Sequence, residues 1–476
     1  MRSLLRPLSL AVALCAGSLS AQADTLADIY ELALKNDAKL KGAEASYRAN
    51  IENEEQAFSA LLPQISGSAS YAQTDVENDQ LGNDGVSAGQ VQTSVNRDTD
   101  SESYSISLTQ QIFNLPSWFA FKSGKETTKQ AEAQFAFDQQ DFIVRVSEAY
   151  FDVLRAIDNL EASKAEERAT KRQLEQTQQR FDVGLIAITD VHEARAVYDS
   201  TVVQRLTDEG DLGTAYESLT VLTGQHHANL WLLNKDFPVI NPDPMERSEW
   251  VTFALQNNFA LKASLYEMEA ARQNAAAKKW EHAPKIRGNF TYNDYTEDGD
   301  GDFTSPVVPT SSQLVDTSRE TETLTFTLEI PIYTGGGVSS QRRQAYEQYN
   351  IALQNKIDTQ RTVIRNTRAS HITVSTDVQR VKARQQAIVS TSSALDATQA
   401  GYEVGTRNIV DVLQAQRGLY SSIRDYSNSR YDYVLSMLKL KRAAGILSPQ
   451  DLYDINKWMV SQDAPTASQY KEFLDR

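Results

Sequence analysis

The sequence predicts a mainly α-helical fold with membrane β-strands. It is arranged as two tandem repeats, with a long α-helical coiled-coil barrel and four strands per chain that contribute to a shared twelve-stranded β-barrel. Three observations carry this. One spacing recurs along most of the chain, each repeat holds two stretches of strict polar–apolar alternation, and each holds a run of about sixty residues without Gly or Pro.

The chain opens as a targeting segment. Arg2 and Arg6 supply the positive start, Leu8 to Leu14 the apolar run, and Ala21-Gln22-Ala23 the small-residue cleavage site, so the mature chain begins at Asp24. Cys15, the single cysteine, leaves with the leader, which removes disulfides, thiol nucleophiles and Cys-ligated metals from consideration. Loss of Arg2 and Arg6 takes the formal charge from −16 to about −18, and that acidic balance disfavours a nucleic-acid surface. No later stretch has the roughly 18 uninterrupted apolar residues of a transmembrane helix, so entry into a membrane requires strands.

The repeat has an offset of about 221 residues, carrying Pro63 to Pro284, Tyr71 to Tyr292, Gly184 to Gly405, Asp190 to Asp411 and Gly224 to Gly445. The organisation reads as a signal peptide at 1–23, a first repeat at 24–224 and an irregular connector at 225–245. A second repeat follows at 246–445, and a C-terminal segment at 446–476. Each repeat starts with a proline-free helix, from about Leu26 to Ser59 and from about Glu246 to Glu281. Two strands follow. Ile65, Gly67, Ala69 and Tyr71 alternate with serines, as do Tyr104, Ile106 and Leu108 with Ser and Thr. Phe290 and Tyr292, then Leu324, Phe326 and Leu328, repeat the pattern.

The polar faces carry Ser and Thr in place of a soluble protein's charges, and aromatics such as Phe113, Trp118 and Tyr333 sit near strand ends as interface girdles do. Between the strands, Val76 to Asp100 and Glu297 to Arg319 read as long exposed loops. The Gly- and Pro-free runs from Lys125 to Val183 and from Val338 to Ala400 read as rods of roughly 90 Å that need partners along their length. Four strands cannot close a barrel alone. Two chains would give an eight-stranded barrel filled by side chains, and three give twelve strands with room for a lumen.

Each rod ends at a glycine turn and restarts at an aspartate. Arg180-Phe181-Asp182-Val183-Gly184-Leu185 leads to Ile188-Thr189-Asp190-Val191, and Gly401-Tyr402-Glu403-Val404-Gly405-Thr406-Arg407 leads to Ile409-Val410-Asp411-Val412. These paired motifs resemble the TolC family of outer-membrane exit ducts, as do Leu62-Pro63-Gln64, the run Thr109 to Phe113, and Pro331-Ile332-Tyr333-x-Gly-Gly. The resemblance covers the mature chain to about Asn456. It implies a homotrimer with a twelve-stranded barrel in outer-membrane lipid, a periplasmic helical barrel and an equatorial band. It also implies a periplasmic adaptor (membrane fusion) protein and an inner-membrane pump of RND, ABC or MFS type, for drug efflux or type I protein secretion.

At the turns, the resemblance implies that Asp190 accepts from Tyr402 and that Arg407 reaches Asp190 or Thr189, with Gln173 a further member. Such charge-assisted bonds contribute about 1.5–3 kcal/mol each, enough for a latch that a partner can break. The plainer reading makes each Asp a helix cap in the boxes Asp190-x-x-Glu193 and Asp411-x-x-Gln414. Three copies of Asp411 around an axis would form an acidic, cation-favouring ring. The family pattern has a second acid three positions later, where this chain has Gln414, so weaker divalent block is expected. Val183-Gly184-Leu185 and Val404-Gly405-Thr406 are the expected adaptor contacts, since glycine permits close backbone approach.

Other signals weigh little. The run Asp298 to Asp302 lacks EF-hand spacing, and His226-His227 reads as solvated connector, so no metal site or cofactor is expected. No nucleophile–base constellation or phosphate loop marks an enzyme. The main rival is a trimeric coiled-coil adhesin with a barrel anchor, which would place its strands at the C-terminus and not inside both repeats.

Overall fold

The computed structural model describes residues 24–82, 91–304 and 309–461. The signal segment with Cys15, and most of the C-terminal segment, lie outside the described residues. The first helix pair is α1 (Leu26–Asn36) and α2 (Ala38–Ser59), followed by strands β1 (Gln64–Gly82) and β2 (Val91–Phe113). Then come the long α3 (Leu115–Asp182), α4 (Ile188–Thr223) and the short β3 (Leu232–Leu233). The second copy runs α5 (Arg247–Asn257), α6 (Phe259–Lys279), β4 (Lys285–Thr304), β5 (Ser311–Glu329), α7 (Gly337–Glu403) and α8 (Ile409–Ala444). A short α9 (Pro449–Asn456) leads to β6 (Met459–Val460), which pairs with β3. None of the described helices is long and apolar enough to cross a membrane.

The expected first helix of each repeat is broken in two, at Asp37 and at Asn258. Both residues are extended, with ψ of 113° and 122°. Neither break is marked by Gly or Pro. A short polar side chain sits at each: Asp37 accepts from the Lys39 and Leu40 amides, giving the start of α2 partners, and from Arg145 at 2.6 Å, while Asn258 ties its break to α8 by donating to the Ala443 carbonyl. Gly445 presses on the second break, where an added Cβ would lie 2.5 Å from the Asn257 carbonyl carbon.

Contacts divide the described residues into two units, one holding 24–45, Phe135–Phe259 and 360–461, the other the described parts of Ser46–Gln134 and Ala260–Thr359. The second unit contains one antiparallel sheet in the order β1-β2-β4-β5, so β2 and β4 join the two repeats. Its register aligns Ile65, Leu108, Phe290 and Leu324 on one face and Ser66, Ser107, Thr291 and Thr323 on the other. The polar face bonds to itself: Ser66 to Ser107 and Ser68 to Ser105 at 2.8 Å, and Thr109 to Asn289 at 2.7 Å. The apolar face is uncovered, with Ile65 71%, Leu324 65% and Phe326 66% exposed.

The expected long loops are corrected here. Most of Val76 to Asp100 and of Glu297 to Arg319 is strand, in unbroken register such as Thr74 with Thr99 and Asp298 with Asp316. The strands run 19 to 23 residues, about twice the 9–11 that span a bilayer. Beyond the lipid, a ladder needs only backbone pairing, so the alternation that marks a strand in sequence disappears while the strand continues. The run Asp298 to Asp302 is therefore strand, facing Asp100 to Asn96, and no three-acid metal cluster exists among the described residues.

In the same unit α2, α3, α6 and α7 form a row. Thr128 donates to the Ile51 carbonyl, Ser123 to that of Ala270, and α6 and α7 share a groove. α3 starts ten residues before the expected Lys125. Gly124 sits inside it because a Cβ there would meet the Asn53 carbonyl of α2 at 2.9 Å, so the residue read as a helix boundary is a close-packing point.

The first unit holds the main core, with Phe142, Tyr150, Phe151, Leu154, Leu438 and Leu440 all buried. His227, expected in solvent, is buried between Thr223 Oγ1 at 2.8 Å and the Asp24 carboxylate at 2.7 Å, and anchors the first described residue.

Candidate functional site at the paired helix turns

Both rods end in the same motif. The Leu185 amide donates to the Arg180 carbonyl and that of Gly184 to Phe181; the Thr406 amide donates to Gly401 and that of Gly405 to Tyr402. Gly184 and Gly405 have φ of 77° and 78°, the left-handed cap conformation that only glycine adopts without strain. The two turns thus reverse the chain within a few residues and leave Val183, Leu185 and Val404 more than 70% exposed. Exposed apolar residues thus sit at both equivalent turns.

The return helices begin differently. In α8 the N-cap is Asn408, whose side chain accepts from the Asp411 amide at 2.8 Å while the Asp411 carboxylate accepts from the Asn408 amide at 3.4 Å. The capping boxes expected to start at the aspartates are corrected: Asp411 is the third helical residue and closes a box that begins three positions earlier. In α4 the N-cap is Ala187, with no side-chain bond, and Asp190 accepts from Thr189 Oγ1 at 3.4 Å. Asp190 therefore keeps acceptor capacity that Asp411 spends on its own helix start.

Behind the turns, Ala194 of α4 and Ile409, Val412 and Leu413 of α8 form a small buried cluster, against which Leu174 of α3 and Leu395 and Tyr402 of α7 pack. The Tyr402 ring lies under the Arg180 guanidinium, 4.9 Å from its centroid. Its hydroxyl is buried and has no partner among the described residues. Gln173 joins Tyr402 in a cleft of about 470 Å³, with Gln176, Gln179, Arg180 and Glu403. Arg407 is exposed and lies 3.8 Å from the Asp411 carboxylate on its own helix start. Gln414 is exposed one turn beyond Asp411.

One chain thus brings Tyr402 and Gln173 together, and Arg407 and Asp411 together, while the Tyr402 hydroxyl faces no acceptor. Sequence reasoning missed Arg180 and Asn408. Asn408 was detectable, because an Asn three residues before an Asp at a helix start is a cap signal. Arg180 was not, since its partner lies 222 residues away in sequence and meets it only through packing of α3 on α7. Further along these helices, burial raises the pKa of the Glu166 carboxyl even though Arg424 lies 3.2 Å away.

The family model for the outer membrane efflux protein matches residues 29–225 and 250–446. The chain belongs to this family. The two matched stretches correspond to the two copies read from the sequence. The outer membrane protein TolC of Vibrio cholerae serotype O1 is 36% identical over 458 residues, covering 96% of this chain and 98% of that protein. The alkaline protease secretion protein AprF of Pseudomonas aeruginosa is 24% identical, covering 92% and 88%.

The outer membrane protein VceC from Vibrio cholerae shares the fold, with a TM-score of 0.69 at 18% identity and coverage of 88% of this chain and 96% of that one. The chain is a TolC-family outer-membrane efflux or secretion protein.

Proposed function

We propose that three copies close into one twelve-stranded barrel and act as the exit duct of a tripartite efflux or type I secretion system. At rest the duct is shut at its periplasmic tip. The observation that carries this reading is the sheet: four strands, a free edge at β1 and another at β5, and one uncovered apolar face. Open edges are not tolerated in lipid, so the sheet must be completed by neighbours, and three copies leave a lumen. Outer-membrane lipid covers the apolar face.

The gate links are Asp190, Thr189, Tyr402, Arg407 and Gln173, with Asp411 and Gln414 at the pore constriction. Support comes from the unpartnered Tyr402 hydroxyl and the spare acceptor capacity of Asp190, which match donor to acceptor, and from the exposed Arg407 guanidinium at the same tip. A periplasmic adaptor docks on Val183, Gly184, Leu185 and on Val404, Gly405, Thr406, and an inner-membrane pump of RND, ABC or MFS type supplies the energy. The test is mass measurement on detergent-extracted outer membranes, followed by single-channel recording. A trimer with a small closed conductance that rises when the links are removed is expected. A monomeric particle, or a conductance indifferent to the links, would refute it.

A further inference from the structure

We propose that the helical walls of neighbouring subunits meet along a charge-matched seam. The acidic flank of α2 in one copy meets the basic, tyrosine-bearing start of α7 of the next. This rests on the trimeric reading above.

The row of helices α2-α3-α6-α7 follows the strand order β1-β2-β4-β5, so the helices beside the free sheet edges are α2 and α7. Closure that pairs β1 with a neighbour's β5 must therefore bring α2 toward a neighbour's α7. Their exposed charges are opposite. On α2, Glu52 and Glu55 are exposed, off the Asn53–Ala57 stripe that meets α3 at Gly124. On α7, Arg342 and Arg343 are exposed. None of these four has an ion-pair partner among the described residues.

The arginines border a groove of about 840 Å³ with Ala275, Ala276 and Lys279 of α6 and with Tyr346, which is 55% exposed. Cations outnumber acids around it, with Arg272, Lys279, Arg342 and Arg343 against Glu347, so the start of α7 presents a net positive surface. The levels agree as well: all four charged residues lie within about two helical turns of the strand-side end of their helix, at Ser59 and at Gly337. A contact of this kind is heterologous, head to tail, and closes into a ring. Opposite charges on the two flanks favour that polarity and disfavour a symmetric α2–α2 or α7–α7 pairing, where like charges would face.

The experiment uses the full chain purified from outer membranes in mild detergent. Arg342→Glu with Arg343→Glu, and separately Glu52→Arg with Glu55→Arg, are expected to lose the trimer on heating in conditions where the wild type keeps it. The fourfold variant carrying both reversals is expected to regain it. As a second measurement, Glu55→Cys with Arg343→Cys in this otherwise cysteine-free mature chain should form disulfide-linked trimers on oxidation. Trimers indifferent to both reversals and no cross-link would overturn the seam while leaving the trimer standing. A monomeric wild type would overturn both.

Discussion

The Tyr402 hydroxyl is buried without a partner, an arrangement that costs about 1–3 kcal/mol unless an acceptor reaches it. In the closed tip we assign that acceptor to Asp190. Tyr402→Phe together with Arg407→Ser is expected to raise single-channel conductance in planar bilayers, and unchanged conductance in folded trimers would remove the latch. Gln414→Asp should strengthen block by divalent cations by restoring the second acid beside Asp411; no change would place Gln414 off the axis.

Glu166 offers a test of another kind. Burial raises its carboxyl pKa in the folded chain. A folded value above the unfolded one means that its contribution to stability is fully present below the unfolded pKa and is lost as pH rises through the folded pKa. Glu166→Gln should therefore flatten the fall of melting temperature with rising pH across that window. Identical slopes in the two proteins would contradict the assignment.

At the scale of elements, glycines that look alike in sequence do different work. Gly405 turns the chain at φ 78° into open space, so Gly405→Ala should cost only the left-handed strain of about 1–2 kcal/mol. Gly445 has φ 75° and also lies against the Asn257–Asn258 backbone, so Gly445→Ala should cost more and should loosen the α5–α6 break. Thermal melting of the two variants compares them directly, and equal losses would mean that the break absorbs the added methyl. Elements were legible where periodicity persisted: the strand starts, the long rods and both turns. The outer halves of the strands were not, because backbone ladders above the membrane need no apolar face. The breaks at Asp37 and Asn258 were hidden because side-chain bonds, with no Gly or Pro, interrupt the helices there.

For the whole molecule, the decisive property is incompleteness. Two free edges and an uncovered apolar face cannot persist in lipid, so the chain is expected to leave the membrane in mild detergent as a particle of three copies. Light scattering or native mass measurement checks this. A two-copy particle would predict an eight-stranded barrel filled by side chains and no conductance.

By itself the sequence determined the duplicated plan, the alternating strands, the long rods and the two glycine turns. Each of these follows from local periodicity and backbone permissiveness, which neighbouring residues along the chain suffice to express. Only the tertiary structure decided which distant side chains meet: Arg180 over Tyr402, and His227 with Asp24. The strand order that leaves β1 and β5 unpaired was decided there too. These contacts and that strand order join residues hundreds of positions apart. Spacing along the chain carries no record of them.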